Sequence, residues 1–295
     1  MQKQVIPESE LLLTGEGKIY HLNLLPGDIG DIIYLVGDPG RVTQMSRLFD
    51  SIDQQISNRE FHTHTGTYKG KRVSVLSTGI GTDNIEIVVN ELDALANINL
   101  ETRQIKDSHK PLTLIRIGTS GAVQADIVPG STVLSKISGG LDNVMHFYKD
   151  APAIFESHLG AAFAKHMDWD PDNSRPYFVS ASEHLIRKMQ KKNYYTEITL
   201  SAPGFYGPQG RRLRLKNRQE DYLERLAEFR YDDLRIANFE MEGSALYGLA
   251  KLLGHHALTV CSILANRQTG KFITDYRPLI DKLLQEILEV STANE

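Results

Sequence analysis

The amino-acid sequence predicts an α/β layered fold in which helices cover a mixed or mainly parallel sheet. Short apolar runs rich in β-branched residues, at Ile32 to Val36, Val73 to Ser77, Leu112 to Gly118 and Leu258 to Ala265, have the continuous character of strands buried on both faces. Between them, apolar residues recur at helical spacing: Ile85, Val88, Val89, Leu92 and Leu95 in one segment, and Leu279, Leu283, Leu284, Ile287 and Leu288 in another. Alternation of strand and helix along a chain is the pattern of layered α/β folds. Residues Arg59 to Tyr68 alternate and are followed by Lys69-Gly70-Lys71, which predicts a hairpin interrupting the parallel scheme.

Composition bounds the function. The 295 residues are 41% apolar and 24% charged, enough to bury a full core. No Pro/Gly/Ser-rich linker, low-complexity tract or solenoid repeat divides the chain, so one domain over residues 1–295 is expected. A net charge of −4 excludes a polybasic surface for nucleic acid or membrane, so any anion must be held by a local cluster of basic groups. A single cysteine, Cys261, excludes an internal disulfide and a multi-cysteine zinc site, and suits a reducing compartment. Leu11 to Leu13 is too short for a signal core and no stretch approaches membrane-spanning length, so a cytoplasmic protein is expected.

Ligands in such folds gather where strands end and backbone N–H groups are free. Three glycine-containing turns follow strands: Val36-Gly37-Asp38-Pro39-Gly40-Arg41, Ser77-Thr78-Gly79-Ile80-Gly81 and Arg116-Ile117-Gly118-Thr119-Ser120-Gly121. The first sets an arginine at a helix start, where an oxyanion can sit; taken alone it also reads as a tight turn with an exposed arginine. None has the glycine spacing of a dinucleotide fingerprint or a Walker loop. Arg116 stands inside an apolar run, a costly place for a cation without an anionic partner.

In order along the chain come YHLNL (Tyr20 to Leu24), VGDPGRV (Val36 to Val42), REF (Arg59 to Phe61), STGIG (Ser77 to Gly81), RIGTSGA (Arg116 to Ala122), FYGPQGR (Phe205 to Arg211), FEMEG (Phe239 to Gly243) and Asn266-Arg267. These eight motifs resemble the uridine phosphorylase branch of the nucleoside phosphorylase I family and span most of the sequence. The resemblance implies a three-layer α/β/α fold with a central mixed sheet. It also implies phosphate-dependent cleavage of a pyrimidine ribonucleoside, with inorganic phosphate as co-substrate and no other cofactor required.

For phosphate, the resemblance implies a site of Gly37, Arg41, Arg116 and Thr119, with Arg59 reaching in from a neighbouring subunit; guanidinium groups offer paired donors matched to phosphate oxygens. For the ribose it implies Glu242 on the 2′ and 3′ hydroxyls, Met241 against the ring and His21 of the adjacent subunit near the 5′ hydroxyl. Without the motif, Glu240 and Glu242 read as support for a helix N-terminus and Met241 as core filler. For the base it implies Gln209 on the amide edge, Arg211 on O4, Phe205 packed against the ring, and Arg267 supporting Arg211 through a water-mediated network. Composition alone makes this segment a basic surface loop, with Arg212, Arg214 and Lys216 just beyond. Arg116, Thr119, Arg211 and Glu242 are the expected catalytic residues.

Purine-cleaving relatives carry an aspartate where this chain has Asn266, and asparagine cannot protonate a purine N7. A family potassium site would use Glu60, the Ile80 carbonyl and Asn84, the last in a Gly81-Thr82-Asp83-Asn84 segment that departs from the family pattern. Gly243, where serine is common, is a milder departure. Shared sites make a homodimer the expected catalytic unit, within a hexamer built as a trimer of dimers. Alternatives are a broader pyrimidine or purine phosphorylase, a hydrolase of the same fold, and a noncatalytic nucleoside-binding protein. His62 with His64 and His255 with His256 show no carboxylate or third ligand at metal spacing, so exposed or structural roles are expected.

Overall fold

The computed structural model describes residues 4–190 and 193–293. Its main sheet has eleven strands among the described residues. They are β1 (Ile32–Val36), β2 (Ser51–Asn58), β3 (Phe61–Tyr68), β4 (Lys71–Ser77), β5 (Thr113–Ala122), β6 (Thr132–Gly140), β7 (Tyr177–Ser180), β8 (Tyr195–Ser201), β9 (Arg230–Tyr231), β10 (Leu234–Glu240) and β11 (His256–Asn266). The helices are α1 (Pro39–Ser46), α2 (Thr82–Asn97), α3 (Ser157–Met167), α4 (Glu183–Met189), α5 (Tyr222–Glu228), α6 (Gly243–Leu252) and α7 (Arg277–Thr292).

Strand alternation explains the layering. Ile33 and Leu35 of β1 pack with Leu76 and Leu114 beneath α2 and α6. Tyr34 and Val36, pointing the other way, pack with Val75, Ile115 and Val260 against α1, α4 and α7. A strand buried on both faces has no polar side to show, which is why these segments read as unbroken apolar runs. The predicted three-layer fold with a mixed sheet is what forms.

The sheet is mixed in a way that shapes the site. β1 lies parallel to β4 and β5, and β5 parallel to β11. The predicted hairpin is present, β3 turning into β4 through Lys69 and Gly70 at φ 48° and 74°, the left-handed pair a two-residue turn requires. The other end curls. β11 pairs antiparallel with β6, β6 and β10 flank β8, and β10 returns to pair with β5 at Gly121 and Ala122. Five strands thereby close into a ring that draws the ends of β5 and β10 together. No helix among the described residues is long and apolar enough to cross a membrane.

Candidate active site

On β5, Leu114, Arg116 and Gly118 share the face toward α2 and α6, so the Arg116 side chain runs back over Gly118. A methyl group at Gly118 would overlap Nη1 of Arg116, with Cζ at 3.1 Å, so the missing side chain is the space the guanidinium occupies. Arg116 is 5% exposed. Its anionic partners come from the protein itself: Glu240 at 3.2 Å and Glu242 in direct contact, both delivered by the end of β10. Burial alone would lower the arginine's pKa, but the two carboxylates outweigh it and push it up. Nε remains buried with no acceptor.

Arg41 approaches from α1. Asp38 caps that helix by accepting from the Gly40 N–H at 2.8 Å, and Pro39 takes the first helical position, which sets Arg41 in the first turn. Burial and the nearby Arg116 lower the Arg41 pKa against the pull of Asp38. Two guanidinium groups crowded this way are stabilised by an anion. Gly37 ends β1 with the Gly79 carbonyl 3.3 Å from where a β-carbon would sit, a close approach of two turns. Thr119 is half-buried and faces Ser262 of β11 in register.

At the head of α6 the two glutamates divide the work. Glu240 accepts from the N–H groups of Glu242 (2.9 Å) and Gly243 (2.9 Å) and from Ser201 Oγ, so it serves the helix N-terminus. Burial raises its pKa and the Glu242 charge adds to this, with Arg116 pulling the other way. Glu242 instead takes the Gly81 N–H at 2.9 Å, from the turn that opens α2, and contacts Arg116. Met241 is half-buried beside it. The sequence left both glutamates open to the helix-end role, and the structure gives that role to Glu240.

The base segment closes on itself. Arg211 Nη1 donates to Gln209 Oε1 at 2.5 Å and to the Phe205 carbonyl at 2.6 Å, while its guanidinium lies 3.7 Å over the Phe205 ring. Gln209 is buried at 3% exposure, whereas Phe205 is half-exposed. Arg267 donates directly to the Gln209 backbone carbonyl at 2.9 Å. Burial and the Arg267 charge push the Arg211 pKa down to about 10. A β-carbon at Gly121 would lie within 4 Å of both arginines, so this segment meets the far end of β5 from Arg116. A cleft of about 1450 Å³ opens beyond it, between residues 168–174 and 206–222, and includes Arg211 but not Arg41, Arg116 or Glu242 in its walls.

The Asn266 side chain is engaged by backbone. Its amide donates to the Gln124 and Ile127 carbonyls, both at 2.9 Å, and its carbonyl accepts from the N–H groups of Gln268 and Thr269. That full set pins the loop bearing Arg267.

His21 and Arg59 form a separate patch. The Arg59 guanidinium lies 5.6 Å over the Tyr20 ring, and Asn58 Nδ2 donates to the His21 carbonyl at 2.7 Å. Glu60 and Asn84 both abut Gly79, next to an exposed Ile80. His62 and His64 are half-buried on β3, with His64 Nδ1 2.8 Å from Ser46 Oγ. His255 is buried at 4% exposure, and its ring does meet a carboxylate and a third residue, Asp93 and His109, ligand atoms of all three lying within 4.8 Å. Sequence spacing missed the group because Asp93 sits on α2 and joins only through the fold. The ring is not free to ligate, however, because Nδ1 accepts the Leu112 N–H at 3.1 Å. In the neutral ring Nε2 therefore carries the proton, 3.1 Å from Asp93 and off the line of a good hydrogen bond.

An arginine pair, two glutamates and an amide–guanidinium couple are thus gathered around the ends of β5 and β10. The family model of the phosphorylase superfamily matches residues 31–289, and the chain belongs to that superfamily. It is 33% identical over 264 residues to the uridine phosphorylase of Thermococcus kodakarensis, covering 88% of this chain and 81% of that one. It is 28% identical over 258 residues to the DeoD-type purine nucleoside phosphorylase of Oceanobacillus iheyensis, covering 86% and 90%. A crystal structure of a Trypanosoma brucei nucleoside phosphorylase with uridine phosphorylase activity superposes with a TM-score of 0.81 at 28% identity, covering 95% of this chain and 99% of that one. The protein is a pentosyltransferase that uses phosphate as co-substrate.

Proposed function

We propose that the protein is a uridine phosphorylase, converting uridine and phosphate reversibly to uracil and ribose 1-phosphate. The observation that carries this reading is the base end, where Gln209, Arg211 and Arg267 converge and the Asn266 side chain is wholly engaged by backbone. Uracil leaves as an anion spread over its carbonyl oxygens, which a guanidinium stabilises without supplying a proton; a purine leaving group asks for an acid at N7.

The chemistry follows from the layout. Phosphate held by Gly37, Arg41, Arg116 and Thr119 presents an oxygen to C1′ of the ribose. Glu242 accepts from the 2′ and 3′ hydroxyls, and its charge favours the oxocarbenium-like character that develops as the C1′–N1 bond breaks. The bonding pair departs on uracil toward Arg211, the phosphate oxygen bonds to C1′, and uracil then takes a proton from water. Met241 and Phe205 flank ribose and base. Glu60 and Asn84 abut Gly79 next to Ile80, and with the Ile80 carbonyl they are the oxygen-bearing groups that a structural potassium ion would take.

Assays of uridine, thymidine and inosine with and without phosphate test the reading. Turnover of uridine only with phosphate is expected. Inosine as the better substrate would transfer the protein to the purine branch, phosphate-independent release of base would make it a hydrolase, and tight uridine binding without turnover would make it a binding protein.

His21 and Arg59 occupying one patch supports a homodimer, within a trimer of dimers, in which each copy completes the other's site. Arg59→Ala and Arg41→Ala proteins are each expected to be nearly inactive, and to regain activity on subunit exchange because some mixed sites are then intact. Verified mixed dimers without recovery would count against shared sites.

A further inference from the structure

Glu91 is a carboxylate on α2 with no place in the chemistry above, yet it gathers three N–H donors. It accepts the His21 backbone N–H at 3.0 Å, the Leu22 N–H at 2.8 Å and the His21 ring at Nδ1, 2.6 Å away. Its side chain is 12% exposed, and that of His21 is 25% exposed. A partly buried anion with three donors aimed at it fixes both the main chain and the ring of the residue it holds. Asn58 grips the His21 carbonyl from the opposite side, and the Tyr20 ring stands edge-on at 4.9 Å.

The ring contact also sets the tautomer. A carboxylate can only accept, so Nδ1 carries a hydrogen, and in the neutral imidazole the lone pair then lies on Nε2. That nitrogen can accept from a hydroxyl group. A histidine held this way reaches outward with its acceptor already oriented and loses little freedom on meeting its target.

We propose that Glu91 is a positioning residue for ribose recognition: it fixes the orientation and Nε2-acceptor tautomer of His21 so that a second copy's substrate donates its 5′ hydroxyl to that nitrogen. This rests on the reading of His21 as the residue that meets the 5′ hydroxyl. The same helix opens at Gly81, whose N–H holds Glu242, so α2 positions both a 2′,3′-hydroxyl acceptor in its own site and a 5′-hydroxyl acceptor for the neighbouring one.

The test compares uridine with 5′-deoxyuridine, which lacks only the hydroxyl in question. Glutamine at position 91 keeps the shape but turns an N–H₂ group toward one of the three donors. Glu91→Gln is expected to raise KM for uridine about tenfold, the size of one hydrogen bond, with kcat little changed. Its KM for 5′-deoxyuridine should stay near wild type, and the Glu91→Gln/His21→Ala double variant should match His21→Ala alone. Equal losses on both nucleosides, or additive losses in the double variant, would overturn the proposal. If His21→Ala itself fails to discriminate the two nucleosides, the His21 reading falls and the proposal with it; if it discriminates and Glu91→Gln does not, the proposal alone falls. Should Glu91→Gln not fold, ¹⁵N spectra of the wild-type enzyme, with His21 assigned from the His21→Ala difference, read the tautomer directly: protonated Nδ1 supports the proposal and protonated Nε2 in a neutral ring overturns it.

Discussion

Replacing Arg116 by lysine is expected to lower kcat/KM for phosphorolysis by roughly 10²–10³, the scale of losing one preorganised donor to a developing or bound oxyanion. Lysine keeps a positive charge beside Glu240 and Glu242 but cannot offer the planar fork that reaches carboxylates and phosphate together. Alanine is the less informative change. It would leave two buried carboxylates without their shared cation, a loss of about 3–5 kcal/mol in stability, and would disturb Glu242 on the ribose as well as the anion site. Gly118→Ala tests the same geometry from below, because its methyl group would displace the guanidinium. Both Arg116→Lys and Gly118→Ala should raise the phosphate requirement, and Arg116→Lys should keep a melting temperature above that of Arg116→Ala. Near-normal efficiency of Arg116→Lys at low phosphate would remove Arg116 from the anion site.

How much of this could be read from the sequence depends on how far apart the cooperating residues lie. β1, predicted at Ile32 to Val36, forms over those residues, because a strand buried on both faces writes its position as an unbroken apolar run. β2 was missed: Ser-Ile-Asp-Gln-Gln-Ile-Ser-Asn is exposed along most of its length and is held by β3 rather than by a core. β8 and β10 carry polar groups such as Thr199 and Asn238, which hydrogen-bond across the ring at 2.8 Å, so their sequences lack the apolar signature. The cost of burying Arg116 was legible from its neighbours. Its partners Glu240 and Glu242 were not, since only the return of β10 to β5 brings them in.

The same distance rule applies to single side chains. Asn266 was read from its residue type as a missing acid, and its actual work, pinning Gln124, Ile127 and the turn at Gln268, depends on a loop more than a hundred residues earlier. An ionised aspartate there would face the same two carbonyl oxygens with no donor to offer. Arg267 likewise reaches Gln209 across the fold. Local motifs name the chemistry of a residue, whereas its partners follow from topology.

At the base edge the expected discrimination is larger than at phosphate. Uridine offers an N3 donor and an O4 acceptor, and cytidine the reverse pair. Gln209 can turn its amide to suit either, but Arg211 has only donors. A cytosine amino group would meet a second donor beside the buried Gln209 and find no acceptor on Arg211. Arg211 is also held in place by the Phe205 carbonyl and ring, which limits its escape from the clash. Sites built on such polar complementarity discriminate by roughly 10⁴–10⁵, well beyond what shape in an apolar pocket achieves. Uridine is therefore expected to turn over with negligible cytidine turnover. Arg211→Ala should lower kcat as well as raise KM, because the leaving uracil gains its charge on the way to the transition state. Steady-state kinetics on both nucleosides decide the matter: comparable efficiencies, or an Arg211→Ala effect confined to KM, would take Arg211 out of leaving-group stabilisation.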